Sequence, residues 1–180
     1  MEYVQPIRSK DKIEEVKAVL KRISYRDYLM FVTGINTGLR VSDLLSLQVK
    51  HVRDTTHVKI KEKKTDKTKR FKLNSVTIEI LNEYIRGLDD ETYLFKSKRT
   101  NKPISRVQAY RILNGAAKKA GLKEIGTHTM RKTFGYHHYQ QFKDVALLQQ
   151  LFNHSAPSIT LRYIGVNQDL MDATIDKFAL

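Results

Sequence analysis

The segment THTMRKTF sets His128 and Arg131 at i and i+3, the spacing that puts two side chains on one face of a helix. Such a pair suits a phosphate, because the guanidinium fork binds two oxygens and an imidazole gives or takes a proton near neutral pH. A solvated His/Arg pair on a helix surface is the other reading of these two residues alone. A second stretch, NHSAPSITLRYIG, holds His154 and Tyr163 on either side of a break containing a proline. A third, TGLRVSDLLSL, puts Arg40 at a helix start, against the positive end of the helix dipole. A charge misplaced there for stability serves something else, unless it is a surface arginine or one paired with Asp43.

The elements that must position these groups follow from hydrophobic period. Asp11 with Glu14, Ser24 with Asp27 and Ser105 with Gln108 read as helix N-caps with an acid or amide three positions on. Ile13, Val16, Leu20 and Ile23 recur at helical steps behind the first cap. Tyr25, Tyr28, Leu29, Val32 and Ile35 do so behind the second, before Gly38 closes the run. Val41, Leu44, Leu45 and Leu47 make a third, short helix. The period then changes to two. HVKIK and RFKLN predict a β-hairpin with Val58, Ile60, Phe71 and Leu73 on its buried face and a basic tip, EKKTDKTK, between them. Further helices are expected at about residues 75–86, 105–120 and 127–141, the last despite Gly135. Another follows a cap at Asp144, and a short one from about Ser158 carries Tyr163. The tail offers Leu170, Met171, Ile175, Phe178 and Leu180 as an apolar set. The fold class is mainly α with one small antiparallel hairpin (α+β).

Composition narrows the partner. The 180 residues suit one domain with a sizeable core. Against 19 Asp and Glu stand 33 Lys and Arg, a net charge of +14, and such an excess calls for a polyanion. Nucleic acid is the first candidate, since neutralising phosphates releases counterions. A membrane surface is disfavoured by the lack of a long apolar run or an isolated basic amphipathic helix. The absence of cysteine excludes disulfides and thiolate metal sites, and the N-terminus lacks the apolar core of a signal peptide. The expected location is cytoplasmic, associated with the nucleoid.

In order and approximate spacing, TGLRVSDLLSL, the hairpin with its KKT, HTMRKTF and LFNHSAPSITLRYIG resemble the catalytic domain of the tyrosine recombinases, the phage integrase family. The resemblance covers nearly the whole chain, from about residue 6 to Tyr163 and beyond. It implies the tyrosine recombinase catalytic-domain fold, with 1–180 as a single catalytic domain and the N-terminal core-binding domain absent. It also implies double-stranded DNA as substrate. Arg40 and Arg131 would clamp the scissile phosphate, with His128 between them as a proton-transfer group. Lys64 of KKT would protonate the leaving 5′ oxygen, and His154 would support the phosphate. Tyr163 would be the nucleophile, forming a 3′-phosphotyrosyl bond, and Asp43 would support Arg40. In similar enzymes a segment after the tyrosine packs into a neighbouring protomer, so residues 170–180 are expected either to link subunits on DNA or to pack in cis.

The residue types suit that chemistry. A phenol ionises near pH 10, so a phenolate at pH 7 costs about 4 kcal/mol, and cations around one phosphate offset that cost. A hairpin lysine with a lowered pKa can supply the leaving alkoxide with its proton. No acidic cluster suited to Mg²⁺ occurs in these segments, so metal-independent chemistry with no cofactor is expected. A nicking-closing enzyme of the type IB topoisomerase kind and a non-catalytic DNA-binding accessory factor stay open as alternatives.

Overall fold

The computed structural model describes residues 4–61, 68–123 and 125–178. Ten helices and one two-stranded sheet occur among them. The first helix, α1 (Lys10–Ile23), is capped by Ser9, whose side chain accepts from the Lys12 N–H, and not by Asp11 as its sequence suggests. Asp11 falls inside the first turn, where its charge still complements the dipole. Ile23 is 55% exposed, because the helix ends at that residue and the chain turns away. Ser24 both closes α1 and opens α2 (Tyr25–Thr37), which packs against it.

Gly38 ends α2 in the left-handed region, at φ 62°. A Cβ there would also lie 2.5 Å from the Phe134 ring, so strain and space both require glycine. The turn delivers Arg40 to the start of α3 (Val41–Leu45), and a short α4 (Val49–Val52) leads into the hairpin. Strands β1 (His57–Lys61) and β2 (Thr68–Lys72) pair antiparallel, Val58 opposite Phe71. Val58, Ile60, Phe71 and Leu73 are all buried, as their alternation predicts. The tip with Lys64 lies outside the described residues.

Helix α5 (Ser75–Tyr84), capped by Asn74, packs on α2. Helix α6 (Arg106–Lys119) begins with the expected capping box of Ser105 and Gln108 and packs on α1 and α3. Then come α7 (Thr129–Phe142), α8 (Val145–Phe152) capped by Asp144, α9 (Pro157–Ile164) and α10 (Asn167–Asp176).

The apolar residues form two clusters. The larger runs from Val16 and Leu20 through Phe31 and Leu44 to Phe95 and Leu113. The smaller consists of Tyr139, Leu148, Phe152, Ile164 and Val166, and it joins α7, α8 and α9. Gly135 sits where α7 meets this second cluster. A Cβ there would lie 2.6 Å from Ile164 and 2.8 Å from the Phe152 ring. The glycine that looks like an interruption of helix period is therefore the point that lets α9 approach α7. Helix α10 has no buried residue: Leu170 and Met171 are exposed and Ile175 is 70% exposed, as is Phe178, just beyond the helix, at 66%. Leu180, the last member of the expected apolar set, lies outside the described residues.

Candidate active site

The end of α8 explains how the site is held. The last four carbonyls of a helix have no partner within it. Here the Asn153 and His154 N–H groups donate to the Gln150 and Gln149 carbonyls at 3.0 Å each. Lys69 Nζ from β2 donates to the Leu151 carbonyl at 2.7 Å, and Arg131 Nη2 to that of Phe152 at 2.9 Å. Asn153 adopts φ 53°, so the chain leaves α8 abruptly, and Pro157 at the first turn of α9 restarts it. His154 lies in this connection, two residues beyond the end of α8. Its Nδ1 is 3.0 Å from the buried Thr160 hydroxyl on α9, which fixes the imidazole across the bend.

Arg131 is 3% exposed. Besides the Phe152 carbonyl, it donates from Nη1 to the Gly38 carbonyl at 2.6 Å, and its guanidinium lies 4.2 Å from the Phe152 ring centroid. One side chain thus ties the turn before Arg40 to the end of α8. At the N-terminus of α7, His128 Nδ1 is 3.3 Å from the Tyr163 hydroxyl. The half-buried Tyr163 ring stands edge-on to His154 at 5.2 Å and to Phe152 at 5.7 Å. Of the residues expected from sequence, His128, Arg131, His154 and Tyr163 come together directly. Arg40 lies near enough for its charge to act on His128, His154 and Tyr163. Asp43 is buried below, its N–H donating to the Arg40 carbonyl at 2.9 Å. Lys64 falls outside the described residues.

Two further cations belong to this surface. Lys69, on β2, acts on His154 through its charge. Lys132, directly after Arg131, is 6% exposed and has its Nζ 5.2 Å from the Tyr163 ring centroid. The spacing of His128 and Lys132, i and i+4, carries the same helical-face signal as that of His128 and Arg131.

Electrostatics follow from this crowding. Burial raises the Tyr163 pKa, while the charge and hydrogen bond of Arg131 and the charge of Arg40 oppose the rise. Burial, then the charges of Lys132, Arg131, Arg106 and Arg40, lowers that of His128. For His154, burial followed by Arg131, Arg40 and Lys69 brings the pKa from 6.5 to about 4. His154 is therefore neutral at pH 7. Between these values the unfolded chain binds a proton that the folded chain refuses, so the native state loses stability as pH falls through the window, by up to about 3 kcal/mol. We expect the thermal midpoint to fall from pH 6.5 towards 4, and His154→Asn to flatten that fall. An equally steep fall in the variant would assign it to other groups.

Among the described residues, no three His, Asp or Glu come together as a metal site, and no helix is long and apolar enough to cross a membrane. A sequence model of the phage integrase family matches residues 9–169. A Bacillus subtilis (strain 168) protein named "Probable integrase/recombinase YoeC" is 52% identical over 178 residues, covering 99% of this chain and 98% of its own. The tyrosine recombinase XerA of Pyrococcus furiosus is 27% identical over 173 residues, which are 94% of this chain and 60% of XerA. The fold also matches a crystal structure of the XerH site-specific recombinase bound to its palindromic difH substrate in a post-cleavage complex. That match has a TM-score of 0.71 at 21% identity and covers 96% of this chain and 53% of that one. The chain thus spans nearly all of the Bacillus relative and between half and two thirds of the other two.

Proposed function

From the premise that this chain belongs to the phage integrase family, we propose that it breaks and rejoins double-stranded DNA at specific sites through Tyr163. The observation that carries this reading is the meeting of the Tyr163 hydroxyl with His128 beside the buried Arg131 and the neutral His154. The phenol oxygen attacks the scissile phosphorus, the bond to the 5′ oxygen breaks, and a 3′-phosphotyrosyl ester forms. The 5′ oxygen takes a proton as it leaves. Rejoining is the reverse: the 5′ hydroxyl attacks the ester and Tyr163 leaves with its proton restored. Because the ester conserves the bond energy, no nucleotide triphosphate is needed. Arg40 and Arg131 hold the phosphate oxygens, and their charges stabilise the phosphorane. His128 accepts the phenol proton, which its lowered pKa permits because the imidazole starts neutral. His154 steadies the phosphate by a hydrogen bond.

The leaving-oxygen proton comes from a hairpin lysine, Lys64, with Lys69 on the same hairpin as the competing donor. The net charge of +14 supports DNA as the partner. The test is incubation with half-site DNA carrying a phosphorothiolate at the cleavage position, without divalent metal. A denaturation-resistant adduct mapped to Tyr163 is expected. An adduct on another residue, or none on any DNA, would overturn the reading. Running the same substrate and its all-oxygen counterpart with Lys64→Ala and Lys69→Ala assigns the proton donor, since a sulfur leaving group needs no proton and rescues only the variant that lacks it.

For the tail, we infer exchange between copies on DNA. Exposed Leu170, Met171 and Ile175 on a helix with no buried residue, with exposed Phe178 just after it, support an apolar face that finds its partner elsewhere. Deleting residues 169–180 should leave single-site binding intact and lower the order of the DNA-bound assembly seen by sedimentation. Unchanged assembly would remove the tail from this role.

A further inference from the structure

A lysine is among the residues least often found buried, yet Lys132 has almost no exposure, on the helix that also carries His128 and Arg131. Its ammonium faces the ring of Tyr163 at 5.2 Å from the centroid. The other contacts of the ring are of different kinds. The His128 imidazole meets the hydroxyl at 3.3 Å, and Phe152 and His154 meet the ring at steep angles, 83° and 76°. Among the described residues, Lys132 is thus the cation set over the aromatic face, while His128 and Arg131 meet the hydroxyl.

We propose that Lys132 is a positioning residue for the nucleophile: its ammonium fixes the Tyr163 ring in the pocket and favours the phenolate as the proton leaves. This rests on the reading of Tyr163 as the nucleophile. An aromatic face attracts a cation through its quadrupole, and a phenolate face, carrying real negative charge, attracts it more strongly. The interaction therefore grows along the path to the attacking state, which is the condition for accelerating a reaction and not merely tightening the resting state. Among the described residues, the other charged or titratable groups facing Tyr163 are Arg131 from α7, His128 at its start, His154 from the connection before α9 and Arg40 from the turn before α3.

The test separates charge from packing with two variants. Lys132→Met keeps length and removes the charge, whereas Lys132→Arg keeps the charge and changes the shape. The single-turnover rate of covalent attachment at saturating phosphorothiolate DNA should fall about 10- to 100-fold in Lys132→Met, with DNA affinity within about twofold of wild type. Lys132→Arg should stay within about fivefold of the wild-type rate. A purely structural lysine gives the opposite order, because an apolar side chain in place of a buried charge is neutral or stabilising and a bulkier guanidinium is not. Thermal melting of both variants accompanies the rates. A Lys132→Met protein that melts like wild type and attaches at the wild-type rate overturns the proposal, as does one rescued no better by arginine than by methionine.

A second readout needs no reaction. With tyrosine labelled at ¹³Cζ, the Tyr163 resonance at pH 7 should move in Lys132→Met and hold in Lys132→Arg. An unmoved resonance in Lys132→Met overturns the proposal. If wild type itself forms no adduct, the nucleophile reading fails, and this resonance still decides whether the lysine sets the state of the ring.

Discussion

Tyr163→Phe should leave DNA binding within about twofold of wild type and lower covalent attachment by at least about 10⁴-fold. The first part follows from what the hydroxyl touches. It meets His128 at 3.3 Å and accepts a hydrogen bond from Arg131, and losing both costs about 1–3 kcal/mol of stability. The ring, which makes the contacts with Phe152, His154 and Lys132, remains. The second part follows because no other oxygen nucleophile takes the place of the deleted one. Gel-resolved adducts on phosphorothiolate half-sites measure the loss, and fluorescence anisotropy on the same DNA measures binding. If binding collapsed together with attachment, Tyr163 would be a structural residue and the functional reading would lose its centre.

Arg131→Ala should fail differently, by losing stability as well as chemistry. Its guanidinium satisfies the buried Gly38 and Phe152 carbonyls and stacks on the Phe152 ring. Stranding two buried acceptors and opening that space should cost about 3–5 kcal/mol, which for a domain of this size lowers the thermal midpoint by about 10 °C. Attachment should fall by about 10³-fold or more even where the protein is fully folded, because phosphate charge loses its stabiliser. Arg131→Lys should recover little of either, since an ammonium cannot reach two carbonyls in different directions as a planar fork does. Calorimetry beside the adduct assay separates the two losses. A variant that melted like wild type would show that the bridge between the Gly38 turn and α8 contributes nothing measurable.

The contrast between these variants bears on what the sequence could reveal. Helix period located the main elements, because their apolar faces are buried where alternation or 3- and 4-residue steps put them: Val58, Ile60, Phe71 and Leu73 in the hairpin, Val16 and Leu20 in α1. Capping chemistry was legible where the side chain faces its own helix, as at Ser105 and Asp144, and misleading at Asp11, where a serine two residues earlier competes for the same N–H groups. Gly135 was legible only as a weakness. Its reason, the close approach of Ile164 and Phe152, involves residues far along the chain. The same holds for Arg131, whose type and spacing suggested a phosphate ligand and gave no hint that it bridges two backbone segments. Lys132 went unread because a lysine beside an arginine in a basic protein reads as surface charge, and its burial depends on how α9 folds back. The tail was ambiguous on physical grounds: a helix that packs in cis and one that waits for a partner carry the same period.

The division of the interior into two apolar clusters has a consequence for how the molecule opens. The tyrosine rides on the smaller one, whose members lie between Tyr139 and Val166, while the larger binds α1, α2 and the hairpin. A unit with so few buried side chains is expected to exchange its amide hydrogens through sub-global openings well below the free energy of complete unfolding. In such an opening α9 would come away from Gly135 and carry Tyr163, the proposed nucleophile, away from Arg131, while the larger cluster would stay folded. With Tyr163 as the proposed nucleophile, mild denaturant should switch off attachment before it melts the chain, which the adduct assay run beside calorimetry across a denaturant series would check.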